Sequence, residues 1–196
     1  SRVDDITVRN ANGTLRGRDY TWTQDDGLAT KNYADVNGDW QWDAIVDEST
    51  VVAATGVITE TTTVTTGSGE LRSKTTATTS NNGRTGSVAT DADGDGGNDV
   101  VVTRDADRGD GWGQELTYLY NPDGTLRGKA YVFTFSNGLN TLTYQSADGD
   151  SVWDTFRYDT TSINADGSTR ESITDYNGNS SWRAQTLIDT SANGLT

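Results

Sequence analysis

One turn is written four times in this chain at nearly constant spacing, and that repeat constrains the fold more than any other feature. It reads Asn12-Gly13-Thr14-Leu15-Arg16-Gly17, then Ser68-Gly69-Glu70-Leu71-Arg72-Ser73, then Asp123-Gly124-Thr125-Leu126-Arg127-Gly128. A weaker fourth copy is Asn179-Ser180-Ser181-Trp182-Arg183-Ala184. The Leu/Trp position steps 15, 71, 126 and 182, a period of 56, 55 and 56 residues. A second turn keeps the same register at Asp26-Gly27-Leu28, Asn82-Gly83-Arg84, Asn137-Gly138-Leu139 and Asn193-Gly194-Leu195. A third is centred on Gly38, Gly94 and Gly149, and a fourth on Gly56, Gly111 and Gly167. Short units of this kind cannot bury an apolar face alone and are stabilised by their neighbours.

Four turns per period leave room for four strands. The segment from Leu126 to Phe135 alternates Tyr131, Phe133 and Phe135 with Ala130, Val132 and Thr134, the period of two that marks a strand. Leu15–Thr23 is its first copy; Leu28–Ala34, a strand starting at Ala44-Ile45-Val46, and Val57–Thr66 complete the unit. No segment carries a helical period. The expected fold is an all-β tandem repeat of four-stranded units in an open solenoid-like or curled antiparallel array, with β-propeller blades as the alternative. The expected divisions are 1–10 (end of a preceding repeat, with Val3–Val8 as its last strand), 11–66, 67–121, 122–177 and 178–196 (a partial fourth repeat). Such a cut array implies neighbouring repeats of a longer chain as partners.

Composition agrees with strands and turns. Of 196 residues, 33 are Thr, 22 Gly, one Pro and none Met, and hydrophobic residues make up 32%. The core is therefore expected to be thin, although 17 aromatic residues spread along the chain argue for a folded state. With no Cys and no His, disulfides, thiolate or imidazole metal sites and histidine-based triads are excluded. Net charge is −14, which argues against nucleic acid as a partner. No apolar run approaches the length of a membrane span, so membrane insertion is not expected either.

The third turn carries the chemistry. Its copies are Asp35-Val36-Asn37-Gly38-Asp39-Trp40-Gln41-Trp42-Asp43, Asp91-Ala92-Asp93-Gly94-Asp95-Gly96-Gly97-Asn98-Asp99 and Ser146-Ala147-Asp148-Gly149-Asp150-Ser151-Val152-Trp153-Asp154. Oxygen-bearing side chains occupy positions 1, 3, 5 and 9 every time, and glycine holds position 4. A hard cation such as Ca²⁺ takes six to eight oxygen ligands, which a short loop supplies by curling round it. The expected ligands are Asp35, Asn37, Asp39 and Asp43; Asp91, Asp93, Asp95 and Asp99; and Ser146, Asp148, Asp150 and Asp154. The carbonyls of Gln41, Gly97 and Val152 at position 7 would join them. Hairpin turns alone manage with one Asp or Asn beside Gly, as the other turns of this chain do. Four spaced oxygens exceed that need.

These loops resemble the D-x-N-G-D-G-x-x-D calcium loops of FG-GAP and VCBS repeats, in which a strand follows the final Asp. The first departs from that pattern at Trp40 and the third at Ser146 and Ser151. Across the whole unit, the Thr-rich strands and Asx-Gly turns resemble tandem calcium-binding repeats of large secreted bacterial surface proteins. The run Tyr120-Asn121-Pro122-Asp123-Gly124-Thr125-Leu126 is similar to YD/Rhs repeats. The resemblance implies Ca²⁺ as cofactor, an extracellular or cell-surface location and a non-catalytic, adhesin- or stalk-like structural role.

Other features are weighed against that reading. Trp42 and Trp153 align with each other and are expected to pack over their loops. Trp40 aligns with Gly96 and Ser151, is dispensable to the fold, and is the candidate ligand-binding residue for a calcium-dependent carbohydrate-binding module, with cell-surface or extracellular polysaccharide as its partner. The acidic run Asp105–Asp110 reads as a solvated turn, and the tripeptide Arg108-Gly109-Asp110 as coincidence. Paired carboxylates abound, but none is singled out as the acid of a glycosidase.

Overall fold

The computed structural model describes residues 1–106 and 109–194. The described residues contain strands and turns and no helix. In chain order the strands are β1 (Arg2–Arg9), β2 (Leu15–Thr23), β3 (Ala29–Asp35), β4 (Ala44–Val52), β5 (Ile58–Thr66), β6 (Leu71–Thr79) and β7 (Thr85–Asp91). They continue as β8 (Val100–Asp105), β9 (Gly113–Tyr120), β10 (Leu126–Thr134), β11 (Asn140–Ser146), β12 (Thr155–Ile163), β13 (Thr169–Asn177) and β14 (Trp182–Thr190). Sheet order equals chain order, an open antiparallel array. Each 56-residue period thus holds four strands. The expected turns lie between them, while Leu195 and Thr196 fall outside the described residues.

By contacts the chain divides into two compact units, Ser1–Val101 with Pro122–Gly124, and Val102–Asn121 with Thr125–Thr196. Within the first, antiparallel pairing runs unbroken from β1 to β7. Within the second it runs unbroken from β9 to β14. Neither run breaks into four-stranded blades, so the propeller alternative is not adopted. Every strand-to-strand contact within a unit joins sequence neighbours, and among the described residues no second layer covers either face.

The consequence for burial is severe. Leu15, 8% exposed, is the one apolar side chain that is buried among the described residues. Stability must come instead from cross-strand pairs on the two faces. The second unit builds a cross-strand row from Leu116, Tyr131, Tyr144, Phe156, Tyr176 and Trp182, each directly opposite the next. Phe156 and Tyr176 stack at 4.7 Å and 12°, and Tyr144 lies 5.8 Å from Phe156. Phe156 and Tyr176 face one another nearly parallel and Tyr144 is tilted 37° to Phe156, so the middle of the row is a ladder of rings in contact. The equivalent row of the first unit is Tyr20, Tyr33, Ile45, Thr65 and Leu71.

Two backbone devices recur with the period. At each fourth-to-first-strand hairpin the register slips by one residue, at Val8/Arg9, Val64/Thr65, Leu126/Gly128 and Asp175/Tyr176. The residue left without a partner is Arg16, Arg72, Arg127 or Arg183, so the recurring Leu-Arg or Trp-Arg pair is a β-bulge with Arg as the extra residue. The second device seats the carboxylate loop. A side chain on Gly38 would meet the Leu15 carbonyl oxygen at 2.6 Å, and Gly94 and Gly149 approach the Leu71 and Leu126 carbonyls in the same way. All three glycines also have φ between +74° and +80°. Position 4 therefore needs glycine twice over, for its left-handed backbone and for the close approach.

Candidate metal centre

The three loops follow β3, β7 and β11, and each begins on the last residue of its strand. Those first residues are the most buried side chains described. Asp35 is 2% exposed, Asp91 4% and Ser146 3%. A molecule that buries almost no hydrocarbon nevertheless buries two carboxylates and a hydroxyl, which demands partners.

Backbone N–H groups of the loop supply them. Gly38 donates to Asp35 Oδ1 at 2.6 Å and Trp40 to Oδ2 at 3.0 Å. Gly94 and Gly96 donate to the two oxygens of Asp91 at 2.6 and 2.9 Å. Position 9 closes the loop in all three copies: Val36, Ala92 and Ala147 donate to Asp43, Asp99 and Asp154 at 2.8, 2.6 and 2.7 Å. Position 3 accepts from the N–H of position 5, at 2.8 Å for Asn37, 3.1 Å for Asp93 and 3.2 Å for Asp148. Position 5 accepts from the N–H of position 7, at 2.8 Å for Asp39 and 2.7 Å for Asp95 and Asp150. An ordinary turn of this chain uses that device once, as where Leu28 N–H donates to Asp26.

In each loop the expected side chains share one network of backbone N–H groups, and each acidic group first shapes the loop. Among the described residues the structure clusters carboxylate oxygens only for Asp91, Asp93 and Asp99; Asp95, the first loop's Asp35, Asp39 and Asp43, and the third loop's Asp148, Asp150 and Asp154 are not gathered in that way. A carboxylate oxygen has two lone pairs, so one N–H leaves room for another contact. In the second loop Asp91, Asp93 and Asp99 each offer an oxygen, all within 4.8 Å of one another, and this cluster could hold a metal ion. Like charges so close repel by about 1 kcal/mol per pair in water and more in a drier setting. In the first loop Asn37 replaces the acid at position 3, and its Nδ2 lies 3.3 Å from Asp39 Oδ2 and 3.4 Å from Asp43 Oδ1. There the amide donor bridges the two carboxylates. In the third loop the Ser146 hydroxyl donates to Asp148 Oδ1 at 3.3 Å, and its single oxygen cannot span two N–H groups as the two carboxylate oxygens of Asp35 and Asp91 do.

A basic residue that sequence reasoning passed over faces position 1 in every copy. Arg18 is in register with Asp35, Lys74 with Asp91 and Lys129 with Ser146. Its signal was the same period that located the loops. Arg18 forms a fork to Asp5 at 3.0 and 2.6 Å and is held above the ordinary arginine range chiefly by that bond, with Asp35 contributing. The Arg18 guanidinium lies 5.1 Å from the Trp42 ring and the Lys129 ammonium 4.7 Å from the Trp153 ring. Trp42 also packs on Tyr33 at 5.4 Å and Trp153 on Tyr144 at 5.6 Å, so both rings lie against strand side chains beside their loops.

Trp40 behaves otherwise. It is 62% exposed and takes φ +70°, a backbone conformation that Gly96 supplies in the second loop. Of the acidic run Asp105–Asp110, Asp107 and Arg108 lie outside the described residues. No protein-family model matches this chain, and no curated protein matches it either.

Proposed function

We propose that the chain is a calcium-stabilised structural repeat module of a secreted or cell-surface bacterial protein, adhesin- or stalk-like and non-catalytic. The observation that carries the reading is the convergence of Asp91, Asp93 and Asp99 on a space one cation wide. An oxygen-only donor set suits a hard ion such as Ca²⁺ over transition metals, which favour nitrogen and sulfur. Asp95 and the Gly97 carbonyl complete the second loop's set, and Asp35, Asn37, Asp39, Gln41 and Asp43 form that of the first. Ser146, Asp148, Asp150, Val152 and Asp154 make the third set, with three carboxylates like the first, against four in the second. An ion bound only by the folded loops stabilises them by linkage, which matters most where no hydrocarbon core exists. The resolved carboxyl shifts fit a non-catalytic role. Asp5, Asp175 and Asp189 are held below the ordinary range by arginines, and Asp166 by Ser168, opposite to what a general acid needs.

Thermal unfolding with Ca²⁺, with Mg²⁺ and with EGTA tests this. Calcium is expected to raise the midpoint by several degrees, and Asp93→Asn with Asp99→Asn to cancel most of the gain. Identical melts in Ca²⁺ and EGTA overturn the proposal.

A second reading attaches to Trp40, a largely exposed ring in a glycine-type conformation that lies 6.0 Å from the Arg18 guanidinium and leaves its other face to solvent-borne ligands. It makes the first loop a calcium-dependent carbohydrate contact. Quenching of tryptophan fluorescence by neutral oligosaccharides, dependent on calcium and lost in Trp40→Ala, supports it; calcium-independent or absent quenching removes it.

A further inference from the structure

The bulged arginines suggest a different ligand. Arg16, Arg72, Arg127 and Arg183 recur with the period and are all exposed; among the described residues none forms an ion pair within 4 Å, although the Arg183 charge reaches the Asp175 carboxyl. This is unusual company for 29 acidic residues, since Arg2, Arg18, Arg157 and Arg170 all find a carboxylate. A bulge turns its extra residue away from the regular pleat. Within the first unit Arg16 and Arg72 stand four strands apart, as Arg127 and Arg183 do within the second, about 19 Å at ordinary strand spacing.

At Arg183 the surroundings form a groove of about 380 Å³. Thr143, Gln145, Thr155, Arg157 and Asp175 line it from the face opposite the aromatic ladder, together with Phe156 and Ala184. Arg157 forms a fork to Asp175 through Nε at 2.8 Å and Nη2 at 3.2 Å, which leaves its Nη1 group uncommitted. The repeat supplies an internal control. Two periods earlier, the positions of Gln145, Thr155, Arg157 and Asp175 hold Ala34, Ala44, Val46 and Val64. The fold is satisfied with an apolar strip there, so the polar groove is an addition.

We propose that this groove binds a carboxylate-bearing sugar unit of an acidic polysaccharide, with Arg183 as the fork for the uronate carboxylate. Hydroxyls and an amide beside a guanidinium match a carboxylate flanked by ring hydroxyls. Two guanidiniums, Arg157 and Arg183, face one carboxylate, Asp175, in the groove, and that surplus of positive charge favours an anionic ligand. Arg127 supplies a second anion contact to the same polymer. The protein's negative charge does not forbid this, because beyond about 8 Å it is screened at physiological ionic strength.

The test is fluorescence anisotropy of a labelled oligogalacturonate with the intact chain in EGTA, against the fully methyl-esterified oligomer. The acid form is expected to bind and the ester to bind at least about tenfold more weakly. Arg183→Gln is expected to cost about tenfold, with a further loss when Arg127→Gln is added, while Arg2→Gln changes nothing. Far-UV circular dichroism checks that each variant keeps its strands. No binding, equal binding of acid and ester, or an unaffected Arg183→Gln overturns the proposal. So does binding seen only with calcium, which marks a metal bridge. The dichroism check is run in EGTA on the unsubstituted chain as well, so lost binding is told apart from the calcium-dependent loss of fold that the melts read.

Discussion

From Asp43 to Gly111 there is no Phe, Trp or Tyr, whereas the second unit carries a cross-strand ladder of Tyr131, Tyr144, Phe156, Tyr176 and Trp182. In the ladder's place β5, β6 and β7 pair threonines, Thr59 with Thr78 and Thr61 with Thr76, and hydroxyls meet at 2.7 Å between Thr78 and Ser87. The backbone plan is the same in both regions, so neither rings nor threonines are needed to define it. The loops vary in the opposite sense. The second loop, beside the threonine strands, has Asp at all four side-chain positions, and the third, beside the ladder, has Ser146 at its head. Where side-chain packing is poorest the loop is most acidic. The difference teaches that one architecture divides its stabilisation between ring contacts and loop closure, in proportions that change along the chain.

Calcium withdrawal is the sharpest way to break this comparison. Hydrogen exchange in EGTA against excess Ca²⁺ is expected to deprotect β6 and β7 by about 3 kcal/mol at a hundredfold saturation of one site. β10 to β13 should change far less; equal loss in both regions defeats the division. Asp91→Ala removes both acceptors for Gly94 and Gly96 and is expected to cost about 2.5 kcal/mol even without metal, read as a lowered urea midpoint in EGTA. Phe156→Ala should cost about 2 kcal/mol, with lost protection confined to the second unit. Trp40→Gly relieves a left-handed backbone and is expected to stabilise by about 1 kcal/mol in thermal melts.

The smallest effect is that of pH. Arginine partners depress Asp5, Asp175 and Asp189, so these pairs contribute fully above the ordinary carboxylate pKa of about 4. Their contribution fades as pH falls through the lowered values. Acid titration of the melting midpoint in EGTA should therefore show a shallow decline that begins only below about pH 4.

Much of the fold was legible because turn chemistry is local. Asx-Gly pairs and period-two runs placed β2 at Leu15–Thr23 and β5 within a residue of its observed start. Choosing an open array over blades was harder, since both use the same hairpins and differ only in whether pairing continues from β5 to β6. The loops were legible as clusters of oxygen donors, but their internal work was not. That Asp35 and Asp91 each accept two backbone N–H groups depends on backbone direction, which residue spacing does not encode. The bulge at Arg16 and its copies was hidden for the same reason, because cross-strand register is a property of two segments. Lys74 and its equivalents were visible as a recurring cation, yet only strand pairing places them opposite the loop head.

The seat of each loop glycine on a leucine carbonyl bears on how such a chain can grow. Gly38, Gly94 and Gly149 each follow their leucine by 23 residues, so that stretch behaves as a gauge that admits no insertion or deletion. Length has drifted only elsewhere: Gly94 and Gly111 are 17 residues apart, while Gly38 and Gly56, or Gly149 and Gly167, are 18 apart. On that geometry whole modules can be added or removed without disturbing a seat, whereas a residue added within the gauged strands moves the glycine off its carbonyl.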